Sequence, residues 1–206
     1  FFEDAEVASR ELSLTLTGRN AGLEERVPMC GVPYHSYQSY VSKLIDKGYK
    51  VAICEQLTDP KESKGMVERD VVQVITKGTI LDNLNLATDN NYIASIYDFS
   101  YSYALTYADI STGEIYAMIL NDLDSLYREL INHNIKEVIV NDKIDREVLY
   151  NLKTVYNILL TVTNLEKEYP EYKDLYKDVT DSRLLTSIKH LLTYVTETKK
   201  SSLKYL

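Results

Sequence analysis

VPMCGVPYHSYQSYVSKLIDKGYKVAICEQLTDPKESKGMVERDVVQVITKGT, residues 27–79, sets the reading of the whole chain. Pro28 and Pro33 fix φ on either side of Gly31, so 27–34 is a stiff, turning segment. Ser36 stands where a helix N-cap belongs, its hydroxyl able to accept from the first free backbone N–H groups. Tyr37, Tyr40, Val41, Leu44 and Ile45 then recur at helical spacing and form one apolar stripe. Lys43 and Lys47 suit the negative end of that helix, and Gly48 reads as its C-cap. Val51-Ala52-Ile53-Cys54 is a short apolar run and predicts a buried strand. A polar loop, 58–68, carries Lys61, Lys64 and Gly65. Arg69 follows it, and a second strand over 71–76 closes the unit.

Working outward, Phe1, Ala5, Ala8 and Leu12 share one helical face. Residues 12–17 alternate Leu with Ser or Thr and predict a half-buried strand. Gly18-Arg19-Asn20-Ala21-Gly22 reads as a flexible loop. The first 76 residues thus form a small mixed α/β domain. The polar, Asn- and Asp-rich stretch 77–90 is a linker. Beyond it, 91–99, 102–109 and 114–120 are strand-like, and Thr112-Gly113 makes the last turn. Leu123, Leu126, Tyr127, Leu130 and Ile131 mark a helix capped by Asn121 or Asp122. Residues 137–141 are a strand, Ile144, Val148, Leu149, Leu152 and Val155 a second helix, and 158–162 another strand. An acidic, tyrosine-rich connection spans 166–178. Leu184, Leu185, Ile188, Leu191, Leu192 and Val195 mark the last helix.

The 206 residues are enough to bury a core and carry a formal charge of −8. Neither half is basic: 10 basic face 13 acidic residues up to residue 88, and 13 face 18 after it. This excludes a generic DNA-coating protein, so any nucleic-acid contact is local or shared with further chain. No apolar run reaches membrane-spanning length, and no signal peptide is visible. Cys30 and Cys54 read as free, buried thiols of a cytosolic protein. The histidines and cysteines show no zinc spacing, and there is no G-x-x-x-x-G-K-[ST] phosphate loop. Cys30 and His35 have no orienting acid in the sequence, so they read as structural. The 18 tyrosines show no interleaving with basic residues and read as packing rather than as a single-strand stacking platform.

Several short blocks strongly resemble the N-terminal region of the MutS family. They are Pro28-Met29-Cys30-Gly31-Val32-Pro33-Tyr34-His35, Val51-Ala52-Ile53-Cys54-Glu55-Gln56, Asp59-Pro60, Ser63-Lys64-Gly65, Val67-Glu68-Arg69 and Thr76-Lys77-Gly78-Thr79. The resemblance continues more weakly to the C-terminus. It implies DNA mismatch repair: a mismatch-binding domain over 1–76 and a connector domain over 91–198. Residues 199–206 would open the next domain. In the family a wedging phenylalanine and a glutamate two positions on read the mispair. Phe1-Phe2-Glu3 mimics that pattern, but the downstream register aligns Phe1 four positions beyond the wedge. Neither Phe1 nor Glu3 is therefore assigned that role, and the chain is expected to be a fragment. The resemblance further implies mismatched duplex DNA as a weakly held ligand of the fragment, a MutL-like partner, and a bacterial cytoplasmic setting. The full-length family protein is expected to be a homodimer using ATP and Mg. No cofactor is expected in the fragment.

The expected fold is two small mixed α/β domains. The order β-β-β-α-β-α-β-α of the second is that of a ribonuclease H-like fold, as the family's connector is. The DNA-facing candidates are Arg19, Asn20, Met29, Lys64 and Arg69, which would position the duplex without reading sequence. Each has a plainer reading: a solvated loop cation, a core-filling methionine, or an arginine paired with Glu68 or Asp70. A ribonuclease H-like fold also raises a metal-dependent nuclease, with Asp109 as the first carboxylate and Asp98 or Glu129 as companions. The competing reading has Asp109 capping the hairpin turn. No catalytic or metal-binding residue is assigned. A pure protein-interaction module is the remaining alternative.

Overall fold

The computed structural model describes residues 1–20, 22–57, 67–79 and 90–199. It is a mixed α/β structure that divides into two compact units, Phe1–Val51 and Ala52–Leu206.

The first unit opens with helix α1 (Phe2–Leu12). It stops at Ser13, which adopts a left-handed conformation with φ 55°. The strand expected over 12–17 is therefore corrected: the helix takes up Leu12, and strand β1 is Thr17–Arg19. It pairs antiparallel with β2 (Val27–Met29), matching Thr17 to Met29, Gly18 to Pro28 and Arg19 to Val27. Pro28 lacks an N–H, and it is accommodated because this ribbon has only two strands. A 3-10 turn, Tyr34–Ser36, leads into α2 (Tyr37–Asp46), which buries Val41 and Ile45. Ser36 does not cap α2 through its side chain. Its hydroxyl donates to Pro33 O instead, at 3.3 Å. Gly48 follows the helix with φ +85°, and its N–H donates to Ile45 O at 2.8 Å. Lys47 Nζ reaches across to α1, donating to Glu11 O and Oε2 at 2.7 and 3.0 Å.

The second unit takes up nearly all of β3 (Val51–Gln56), which pairs with β4 (Arg69–Ile75). The expectation of a buried strand at 51–54 fails. Val51 and Ile53 are half-buried, while Ala52 and Cys54 are exposed, because a two-stranded ribbon has one sheltered face. Cys54 is accordingly a free but exposed thiol, and Cys30 is half-buried.

The body of this unit is a five-stranded sheet in the order β7-β6-β5-β8-β9. β5 (Tyr92–Asp98), β6 (Tyr103–Asp109) and β7 (Glu114–Leu120) are antiparallel, whereas β8 (Glu137–Val140) and β9 (Leu159–Val162) run parallel to β5. Helices cover both faces, so β8 is buried along its whole length. On one face α3 (Leu123–Asn132) and α4 (Arg146–Tyr150) pack Leu126, Leu130 and Val148 against Ile96, Leu105 and Val138. On the other, α6 (Ser182–Lys199) packs Ile188, Leu191, Leu192 and Val195 against Ile93 and Ile139. Asp122 caps α3, accepting from Ser125 N at 2.7 Å, and a π-helical stretch, Asn151–Val155, extends α4.

The connection read over 166–178 is more than a linker. It holds a 3-10 turn, Pro170–Tyr172, and the short helix α5 (Lys173–Tyr176), and it buries Tyr172 and Tyr176. It is laced to α6 turn by turn. Thr163 O accepts from His190 Nε2 at 2.8 Å, Thr193 Oγ1 accepts from Lys167 N at 2.8 Å, and Lys167 pairs with Glu197. Because Thr163 O can only accept, Nε2 of His190 carries the proton and Nδ1 accepts from Ser95 Oγ at 2.8 Å. Burial pushes His190 below the ordinary histidine range, which favours this neutral form.

Candidate nucleic-acid interface

Three of the five expected DNA-facing residues share the β1–β2 ribbon. Side chains alternate along a strand, and directly paired residues face the same way. Thr17, Arg19, Val27 and Met29 therefore belong to one face, with Asn20 leaving its end. Arg19 and Asn20 are exposed, Met29 is half-buried, and Val27 on the same face is buried. Thr17 Oγ1 donates to Met29 O at 2.9 Å, which holds the open end of the ribbon in register.

Arg26, which sequence reading passed over, closes the other end. Its Nη2 donates to Gly18 O at 2.5 Å. A Cβ on Gly18 would stand 3.0 Å from Arg26 Cβ, so the clasp needs glycine or a small shift of the arginine. Its signal was available only once 27–29 was known to pair with 17–19. Arg69 is exposed at the start of β4, in the other unit, so the structure does not join it to the ribbon. Its supposed partner Asp70 accepts instead from Val71 N at 2.7 Å. Among the described residues neither Arg19 nor Arg69 enters an ion pair. Lys64 lies outside the described residues.

The carboxylates that raised a nuclease reading do not converge. Tyr92 pairs with Asp109 and Asp98 with Tyr103, so Asp98 and Asp109 stand at opposite ends of one strand pair. Six residues at roughly 3.3 Å put them about 20 Å apart, too far to share a metal pair spaced by about 4 Å. Asp109 is committed to its turn. Oδ1 accepts from Ser111 N at 2.8 Å and Ser111 Oγ at 2.6 Å, and Oδ2 accepts from Asn91 N at 3.0 Å. Desolvation pushes its carboxyl up, but these donors outweigh it and hold Asp109 below the ordinary aspartate range. Glu129 pairs with His133 one helical turn on, at 3.4 Å. Among the described residues no helix is long and apolar enough to cross a membrane.

Two family descriptions fit the chain end to end. MutS domain I matches residues 1–84, and MutS domain II matches residues 91–206. What fold and sequence define together is thus a pair of MutS-type modules, domain I followed by domain II. The chain is 43% identical over 209 residues to the DNA mismatch repair protein MutS of Oceanobacillus iheyensis, covering 100% of this chain and 24% of that protein. It is 43% identical over 216 residues to MutS of Clostridium tetani, with the same coverage. To MutS of Staphylococcus haemolyticus it is 44% identical over 207 residues, covering 100% of this chain and 23% of that protein. The chain belongs to the MutS family. It spans about a quarter of the length of the curated relatives it matches.

Proposed function

We propose that the chain is the mismatch-binding and connector portion of a MutS-like protein, and that it positions mispaired duplex DNA and passes on its engagement. The observation that carries this reading is the gathering of exposed Arg19 and Asn20 with half-buried Met29 on one two-stranded ribbon, in the part that matches MutS domain I. Phosphate contacts from such a ribbon fix the duplex without reading bases. A mispaired step bends at lower cost than a paired one, so holding the backbone on both sides of a kink favours the mispair.

The functional modules are 1–76 and 91–198, with 77–90 between them and 199–206 leading onward. The family matches at 1–84 and 91–206 support this division. The β7-β6-β5-β8-β9 sheet supports a ribonuclease H-like connector, serving as a relay and as a contact for a MutL-like partner. No bond is broken by this portion. Bacterial relatives support a cytoplasmic setting. The whole protein would act as a homodimer using ATP and Mg outside these modules.

The chain alone is expected to hold duplex DNA weakly and without preference for a mispair, because its −8 charge opposes a polyanion. Fluorescence anisotropy with matched and mismatched duplexes checks this, and tight mispair-selective binding overturns it. In the intact protein, Arg19→Ala and Arg69→Ala are each expected to weaken all duplexes alike. Each would lower the salt slope by roughly one ion for each lost phosphate contact. An unchanged slope removes that residue from the interface.

A further inference from the structure

Glu137 heads β8 with its carboxylate fully buried. Its two oxygens take separate donors. Oε1 accepts from Tyr194 Oη on α6 at 2.7 Å, and Oε2 accepts from the backbone N–H of Gly78 at 2.7 Å. Among the described residues no cation pairs with it. A buried carboxylate without a counter-charge persists only where such donors replace its water. Gly78 belongs to the Thr76-Lys77-Gly78-Thr79 block singled out in the sequence, which no DNA contact explains.

That block is built to present one N–H inward. Thr76 and Thr79 are buried, and Thr79 Oγ1 accepts from Thr76 N at 3.0 Å, closing the turn. The Cβ of any other residue at 78 would lie 2.8 Å from Ile93 Cβ and 3.1 Å from Glu137 Oε2, so the approach requires glycine. Asn91 Nδ2 donates to Lys77 O at 3.1 Å, which joins the two described ends of the 77–91 stretch. β4, which runs directly into this turn, also packs on α6.

We infer that Glu137 is an internal docking site that receives the Thr76–Thr79 turn and anchors the β3–β4 ribbon to the five-stranded sheet. The two described ends of the stretch that follows β4, 76–79 and 90–91, are then held together at the sheet. Arg69 at the far end of β4 moves with the sheet that carries the connector. This places Glu137, Tyr194 and Asn91 as positioning residues, and it holds whether or not the ribbon contacts DNA.

The test is a protease site inserted between residues 84 and 85 of the 206-residue chain, cleaved after folding. The two pieces are expected to co-elute on size exclusion under native conditions. Glu137→Ala is expected to weaken their association by about 10- to 100-fold on dilution, the scale of one charge-assisted hydrogen bond lost from a buried site. Asn91→Ala, which spares the carboxylate, is expected to weaken it less. Pieces of the unsubstituted protein that separate on cleavage overturn the inference, as do Glu137→Ala pieces that hold as tightly as the parent. Should Glu137→Ala fail to fold, Gly78→Ala tests the same contact from the other side. Unchanged association in that variant overturns the inference equally.

Discussion

Tyr172→Ala is expected to remove about 3–5 kcal/mol of stability, the range for truncating a buried aromatic ring. Tyr172 is 1% exposed and sits among Ile188, Leu191 and Leu192 under the five-stranded sheet. It is the plug with which residues 163–176 close that face. Neighbouring side chains come from a strand, a helix and the connection itself, so they cannot collapse together into the space left. Tyr172→Phe keeps the ring and its packing and is expected to cost less than the alanine variant. Urea unfolding followed by circular dichroism reads both. A loss below about 1 kcal/mol for the alanine variant would show that the connection does not seal the core.

The second large effect is expected at Asp109. Asp109→Ala strips the acceptor from Ser111 N, Ser111 Oγ and Asn91 N in a turn whose aspartate is 2% exposed. Leaving such donors unpaired is worth about 2–4 kcal/mol in total. The pH dependence follows from the depressed carboxyl. The folded state binds the proton less readily than the unfolded chain, whose aspartates titrate near about 3.9. The contribution of Asp109 is therefore complete above that value and drains away as pH falls through the lower folded one. Asp109→Asn flattens this acid limb. Thermal melts from pH 6 downward test it, and equal acid limbs in parent and variant would refute the assignment. A metal-binding aspartate predicts a different pattern, in which magnesium raises the melting temperature of the parent only.

The second unit was largely legible because its cues are local. Thr112-Gly113 sits between alternating strands, and Gly113 takes φ +81° at the turn. Asp122 caps α3 as its position suggests. What escaped reading depends on distant partners. Residues 27–29 show proline and methionine and no alternation, so β2 is visible only against β1. Placing Arg19, Asn20 and Met29 on one ribbon therefore needed the structure, although the residues themselves were chosen from the family resemblance. Val51-Ala52-Ile53-Cys54 is apolar enough for a core strand, and its exposure reflects its place in a two-stranded ribbon rather than its composition. Pro170 and the acidic residues around Tyr172 look like a surface connection, and only α6 reveals the buried side. Glu137 is the sharpest case. A glutamate at the head of a strand normally faces water, and its donor Gly78 lies 59 positions away.

The rings of Tyr92, Tyr107, Tyr116 and His133 form one packed group, with Tyr107 stacked 5.2 Å from Tyr116 and 4.6 Å from His133. The chain has 18 tyrosines and no tryptophan. Its ultraviolet emission is therefore dominated by phenol rings, and rings held this close hand excitation to one another. Loosening the sheet lets them emit separately. The protein thus carries a label-free optical gauge weighted toward its second unit, since of its tyrosines only Tyr34, Tyr37, Tyr40 and Tyr49 lie in the first.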